Sequence, residues 1–299
     1  MEGLEVFTNI FLLIFIISTM FSIGLGLSLR QIKKVLSNYG LIARGLIVNF
    51  LLIPVIAWIM TKIIPMDEVI ALGFLVISIS AGAPFGPKLA LIAKSDVPFA
   101  VTMMFVLSVL TVIVTPLWLS VFLGPSSSDN ASINPLPLLG QILIIYILPL
   151  IIGLFVSSKY STNAQKYKPV ALKVSNVSFP IVIVGMVATN ISGFQSMIGS
   201  LGIITSIISV VVYAMLGYIF GGPQIATKRS LAFDSAVRNV GLGLLVAAQV
   251  FTNQPNVGVM VATFGIIQIV IMGAIGALWS KRRTHDASEI IQRSSTKTK

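Results

Sequence analysis

The chain has no cysteine, and its one histidine, His285, lies in a polar C-terminal stretch. The first absence excludes disulfides, thiolate nucleophiles and thiolate-held metals. The second leaves the apolar part of the chain without a histidine for a metal centre or a catalytic triad. Acids are scarce as well, with nine Asp and Glu against 20 Lys and Arg, a formal net charge of +11. Charged residues of both signs make up 10% of the chain and hydrophobic residues 56%. What the sequence does contain is a series of apolar runs of about 20 residues, the length that crosses ~30 Å of hydrocarbon. The composition is that of an all-α polytopic membrane protein whose first partner is the lipid bilayer.

Nine spans are expected, at 6–28, 41–64, 69–93, 97–123, 137–158, 169–191, 198–221, 230–251 and 257–280. The first is preceded by Glu2 and Glu5 and followed by Arg30, Lys33 and Lys34, the reverse of a cleaved signal peptide. An N-terminus outside puts Arg30, Lys33, Lys34, Lys94, Lys159, Lys166, Lys168, Lys228, Arg229 and the C-terminal bases in the cytoplasm. Outside remain Asp67, Glu68 and Asp129, with Lys62 as the one base. This sorting is the positive-inside pattern for an odd number of spans. It accounts for the net charge without a nucleic-acid partner. The Ser/Asn/Pro-rich stretch 124–136 joins residues 1–123 to residues 137–280, and 281–299 is expected as a basic, partly disordered cytoplasmic tail. Within 124–136, Asn130 formally matches a glycosylation acceptor.

Two spans are interrupted. Ser80-Ala-Gly-Ala-Pro-Phe-Gly-Pro-Lys88 carries Pro84 and Pro87, which lack amide donors, beside Gly82 and Gly86. Freed backbone groups survive at membrane depth only when buried in protein or lining a water-filled cavity. The second stretch, Asp234-Ser-Ala-Val-Arg-Asn-Val-Gly241, places Asp234, Arg238, Asn239 and Gly241 in the middle of an apolar run. The breaks fall in the third and eighth spans, an odd number apart, so they run in opposite directions as inverted repeats require. The repeats would be 1–123, short of one helix, and 137–280.

Each charge has a plainer reading. Lys88 lies six residues from Lys94, about 9 Å along a helix, and can snorkel part of that way. Arg238 is nine residues past Arg229, about 13 Å deep. Asp234 and Arg238, spaced i,i+4, would meet on one helix face as a structural ion pair. A coupling proton on Asp234 is the other reading, against which its basic neighbour argues. Asn49, Thr102, Ser108 and Gln268 are polar residues in apolar spans that either line a cavity or bond between helices.

Ala83-Pro-Phe-Gly-Pro-Lys-Leu-Ala-Leu-Ile-Ala-Lys-Ser-Asp-Val97, the span ending Val114-Thr-Pro-Leu117, the glycine-rich Phe21-Ser-Ile-Gly-Leu-Gly-Leu-Ser-Leu29 and Arg238-Asn-Val-Gly-Leu242 together resemble the bile acid:sodium symporter family in order and spacing. The resemblance runs from about residue 10 to 280. It implies a core domain of spans 2–4 and 7–9 with two discontinuous helices crossing near the midplane, and a panel domain of spans 1, 5 and 6. It also implies alternating-access transport of organic anions, often driven by sodium. Four positions where the family's sodium-coupled members carry side-chain oxygens align with Gly86, Pro87, Ala100 and Met104, which carry none. At a second site the family's Glu and Gln align with Asp234 and Arg238, and a further Gln aligns with Asn49. A guanidinium cannot share a small site with sodium. The resemblance therefore implies an anion carrier with no cofactor or metal, in which Lys88 and Arg238 replace sodium. A sodium symporter using Asp234, Asn49 and backbone carbonyls is the alternative. The arsenite-carrier branch relies on a membrane cysteine, absent here, and auxin-efflux-type carriers share only the plan. An intramembrane enzyme would need a second acid or a histidine beside Asp234. A passive channel or sensor would differ in flux that does not saturate, or in binding without flux.

Overall fold

The computed structural model describes residues 2–27, 29–123, 140 and 143–296, and among them every regular element is helical. The elements are α1 (Glu2–Gly26), α2 (Leu29–Leu36), α3 (Tyr39–Ile63), α4 (Glu68–Ile79), α5 (Phe85–Ile92), α6 (Val97–Leu123), α7 (Leu143–Lys159), α8 (Ser161–Thr189), α9 (Ile191–Met197), α10 (Leu201–Phe220), α11 (Ile225–Ala236), α12 (Val240–Val250) and α13 (Pro255–Thr296). Asn130 and the whole of the join 124–136 lie outside the described residues.

Among the described residues seven stretches are long and apolar enough to cross a membrane, with α11 and α12 forming one of them together. The spans expected at 69–93 and 137–158 appear instead as the shorter apolar helices α4, α5 and α7. The first is short because prolines and glycines split it; for the second, α7 begins where the described residues resume. α13 continues to Thr296, through most of the segment expected as a partly disordered tail. The stretch carries Lys281, Arg282, Arg283, Ala287, Glu289, Gln292 and Arg293, residues of good helix propensity, directly after an apolar helix, and no proline or glycine interrupts it.

Helix starts follow the side chains available to cap them. Asn38, Asp67 and Ser200 accept bonds from backbone amides at the starts of α3, α4 and α10, each satisfying a donor the first turn leaves open. Asp96 does the same for α6, accepting from Phe99 N at 3.0 Å. Two prolines create local departures. Pro54 offers no amide to the Phe50 carbonyl, which accepts from Trp118 Nε1 at 2.9 Å. Just before Pro54, α3 widens into a π-helical turn at Val48–Leu52; α7 opens with another at Leu143–Ile147, before Pro149.

α1 packs along α8 and α7, while α4, α5, α6, α10, α11, α12 and α13 pack on one another. The two broken helices sit within the second group, where α11 and α12 are almost wholly buried. α1 and α8 lie alongside the breaks and leave a cavity between.

Candidate functional site

At the first break, between α4 and α5, Gly82 has φ +80°, and a side chain there would collide with the Ser108 backbone. The chain can turn here because Gly82 accepts both constraints. Three of the freed carbonyls are taken up by donors from other segments. Thr111 Oγ1 donates to Ile79 O (3.3 Å), Ser108 Oγ donates to Gly82 O (2.9 Å), and Asn239 N donates to Ser80 O (2.8 Å). Ala81 N in turn donates to Thr111 Oγ1 (3.2 Å). These pairings meet part of what a fold at membrane depth demands of its buried backbone groups.

The second break, Val237–Asn239, holds neither proline nor glycine. Its conformation is held by side chains. Gln268 bonds both backbone groups of Arg238, accepting from its N at 2.7 Å and donating to its O at 2.9 Å. Asn239 caps α12 through Leu242 N (3.0 Å), donates to Gly82 O (2.9 Å) and bonds the Tyr146 hydroxyl. The guanidinium of Arg238 is fully buried and donates to three oxygens: Asn49 Oδ1 (2.7 Å), Ser78 O (2.6 Å) and Ser235 O (3.3 Å). These oxygens come from α3, α4 and α11, so one cation ties three helices. Asn49 is steadied by Gly45 O (3.0 Å) and Ser235 Oγ (3.1 Å) within the π-helical turn of α3.

The ion pair expected between Asp234 and Arg238 does not form. An i,i+4 contact needs continuous helix, and α11 ends at Ala236, which swings Arg238 toward Asn49 and Ser78 instead. Asp234 is buried, neither carboxylate oxygen has a hydrogen-bond partner, and Oδ1 lies where a methyl group on Gly86 would approach to 2.7 Å. Gly86 therefore permits the start of α5 to rest on Asp234.

A cavity of about 440 Å³ opens beside the crossing. Of the residues singled out from sequence, Pro84, Pro87, Lys88, Arg238, Asn239, Gly241 and Gln268 line it. Gly86, Asp234, Asn49 and Ser108 belong to the crossing but not to the cavity wall, and Thr102 bonds back to Pro98 O at 2.9 Å on its own helix. Lys88 is half-buried, donates to Asn176 Oδ1 at 3.1 Å and lies 5.7 Å from the Phe85 ring centre. The far wall comes from residues that the sequence alone did not single out: Thr19 and Ser22 on α1, and Lys168, Ser175 and Asn176 on α8. Their spacing was the available signal, since each set recurs along one helical face. Tyr146 was also missed, because a tyrosine in an apolar run reads equally well as an interfacial anchor.

Oxygens at the crossing are unevenly available: both carboxylate oxygens of Asp234 are without a hydrogen-bond partner. Gly86, Pro87, Ala100 and Met104 offer no side-chain oxygen, and the oxygens of Asn49, Ser78 and Ser235 are bonded to a guanidinium.

The profile of the Sodium Bile acid symporter family matches residues 13–197. A probable sodium/metabolite cotransporter of Arabidopsis thaliana, BASS1, chloroplastic, is 22% identical over 266 residues, covering 88% of this chain and 65% of the relative, so the chain spans just under two thirds of that protein's length. An uncharacterized sodium-dependent transporter of Bacillus subtilis, YocS, is 23% identical over 280 residues, 91% of this chain and 84% of the relative. The human ileal sodium/bile acid cotransporter is 24% identical over 285 residues, 92% and 79% respectively.

Proposed function

The chain belongs to the Sodium Bile acid symporter family, and from that membership we propose that it is a secondary transporter moving an organic anion across the membrane by alternating access, with Lys88 and Arg238 in place of sodium. The observation that carries the reading is the buried Arg238 guanidinium, bonded to three oxygens from three helices where a hard cation would need oxygen ligands. A fixed charge there stabilises the crossing permanently, so the crossing would not assemble and dissolve with sodium. Lys88, just past the first break and facing the cavity, supplies the charge that meets the substrate. The positive end of α5 begins in the same wall. α1, α7 and α8 form the panel and the remaining spans the core, and the cavity between them is where rocking would expose the site alternately. With the N-terminus outside and the C-terminus in the cytoplasm of a cell membrane, Lys168 and Leu91 put the mouth on the cytoplasmic side.

A sodium-coupled symporter is the second reading. It is favoured by the unpartnered oxygens of Asp234, which a cation could bond, and by the sodium named in the relatives. Both readings meet the same test: melting of the purified protein with a panel of organic anions, in sodium and in choline buffer. A ligand at about 100 times its Kd adds ~2.7 kcal/mol. Equal stabilisation in both buffers, lost with Lys88→Gln, is expected. Stabilisation confined to sodium sinks the fixed-cation reading in favour of the symporter.

A further inference from the structure

The cavity wall formed by α1 and α8 is an antiparallel ladder with ordered rungs. Phe15 faces Phe179 with ring centres 5.0 Å apart, and Thr19 Oγ1 bonds Ser175 Oγ at 2.5 Å. Gly26 faces Lys168, whose Nζ lies 2.8 Å from where a methyl group on that glycine would sit. Along this wall the cavity runs from aromatic, through hydroxyl, to cationic. The opposite wall brings Lys88 to the middle of the ladder, at Asn176, the residue next to Ser175.

Lys168 and Asn176 are eight residues apart on one helix, a rise of about 12 Å along its axis, so Lys168 and the Asn176-bound Lys88 meet the cavity at different levels. Leu172, Ile23, Leu91 and Val97 line the space with them and are apolar. No acidic side chain lines the cavity among the described residues. Lys88 uses one of its three donors on Asn176 and has others for a ligand.

We propose that the site takes a two-headed anion: an α,ω-dicarboxylate with a slim apolar spacer, one carboxylate on Lys88 and the other on Lys168. This rests on the anion-carrier reading above and narrows it. An amphipathic monoanion fills the apolar stretch but engages only one ammonium, whereas a diacid gains a second charge-assisted bond. Carbon chains with bonds near 1.5 Å advance about 1.3 Å per carbon when extended, so chain length decides whether one diacid reaches both lysines. Shorter diacids reach one lysine only, and longer ones must buckle against α1.

The test uses the full chain in detergent and measures affinity by thermal stabilisation for saturated diacids from succinate upward, each beside the monoacid of equal length. The expected result is a chain-length optimum at which the diacid binds about tenfold more tightly than its monoacid, the scale of one added charged hydrogen bond. Lys168→Gln should bring each diacid down to the affinity of its monoacid, because the second ammonium at the cavity wall is then gone. Lys88→Gln should remove measurable stabilisation by either. Monoacids and diacids binding equally at every length would overturn the two-headed site while leaving the anion-carrier reading intact. Absence of stabilisation by any organic anion would overturn both.

Discussion

The two breaks serve one topological purpose and are built by opposite means. The first, Ser80–Pro84, is written into the backbone: prolines withdraw donors, Gly82 supplies positive φ, and neutral hydroxyls from α6 take up the loose groups. The second, Val237–Asn239, uses residues that could have continued a helix and is held open by Arg238, Gln268 and Asn239. They also hold each other, since Asn239 bonds both Ser80 O and Gly82 O. A break imposed by backbone chemistry persists whatever surrounds it. One imposed by side chains depends on its partners, so it is where substitution should have the greatest effect.

The largest effect is expected at Arg238. Arg238→Ala leaves Asn49 Oδ1, Ser78 O and Ser235 O without their donor, and at about 1–3 kcal/mol per buried unsatisfied group the loss should exceed 3 kcal/mol and abolish transport. Arg238→Gln sharpens the point. A neutral amide retains part of the bonding and returns the oxygens to a cation, so melting should become sodium-dependent where the parent's is not. Sodium-independent melting of Arg238→Gln would remove the case that the guanidinium occupies a cation position.

Next comes the backbone-built break. Gly82→Ala forces a side chain into the left-handed region and against Ser108, at about 1–3 kcal/mol. Chemical denaturation should place it below Arg238→Ala. The reverse order would mean that the first break, not the second, is the fragile one.

The difference in construction also decided what could be read from sequence. Proline and glycine act locally, so the first break was legible to within a residue or two from Ser80-Ala-Gly-Ala-Pro-Phe-Gly-Pro-Lys88. The second announced itself only as misplaced polarity. Extending the helical period across it paired Asp234 with Arg238, an error that followed from assuming the very continuity the break removes. Arg238 chooses Asn49 and Ser78, 189 and 160 residues away in sequence, and no local pattern encodes such partners. The apolar runs fixed where helices lie, but the cavity's far wall needs the pairing of α1 with α8, which only packing supplies. Lys168 was therefore assigned to a cytoplasmic loop, and Asn176 went unremarked.

A smaller effect on stability, and a specific one on binding, is expected at Lys88. It is half-buried and its one hydrogen bond is at a cavity surface, so Lys88→Gln should change stability by less than about 1 kcal/mol. Anion-induced stabilisation should nonetheless disappear. If the variant melts much lower and still responds to anions, Lys88 is a structural residue and another cation of the cavity wall meets the substrate.

The smallest effects ask whether the breaks are independent. Ser108→Ala removes one of two donors to Gly82 O, and Tyr146→Phe removes the hydroxyl bonded to Asn239, which supplies the other donor. Each should cost about 1 kcal/mol, because the remaining partner keeps every buried group bonded. Together they loosen the same junction from both sides, so a double-mutant cycle should return a coupling of about 0.5 kcal/mol or more. Strict additivity would mean that the bond between Asn239 and Gly82 is incidental and that each break is self-supporting. A positive coupling would make the two breaks one unit, so that a change imposed on the side-chain-built break is felt at the backbone-built one, which is the communication an alternating-access site requires.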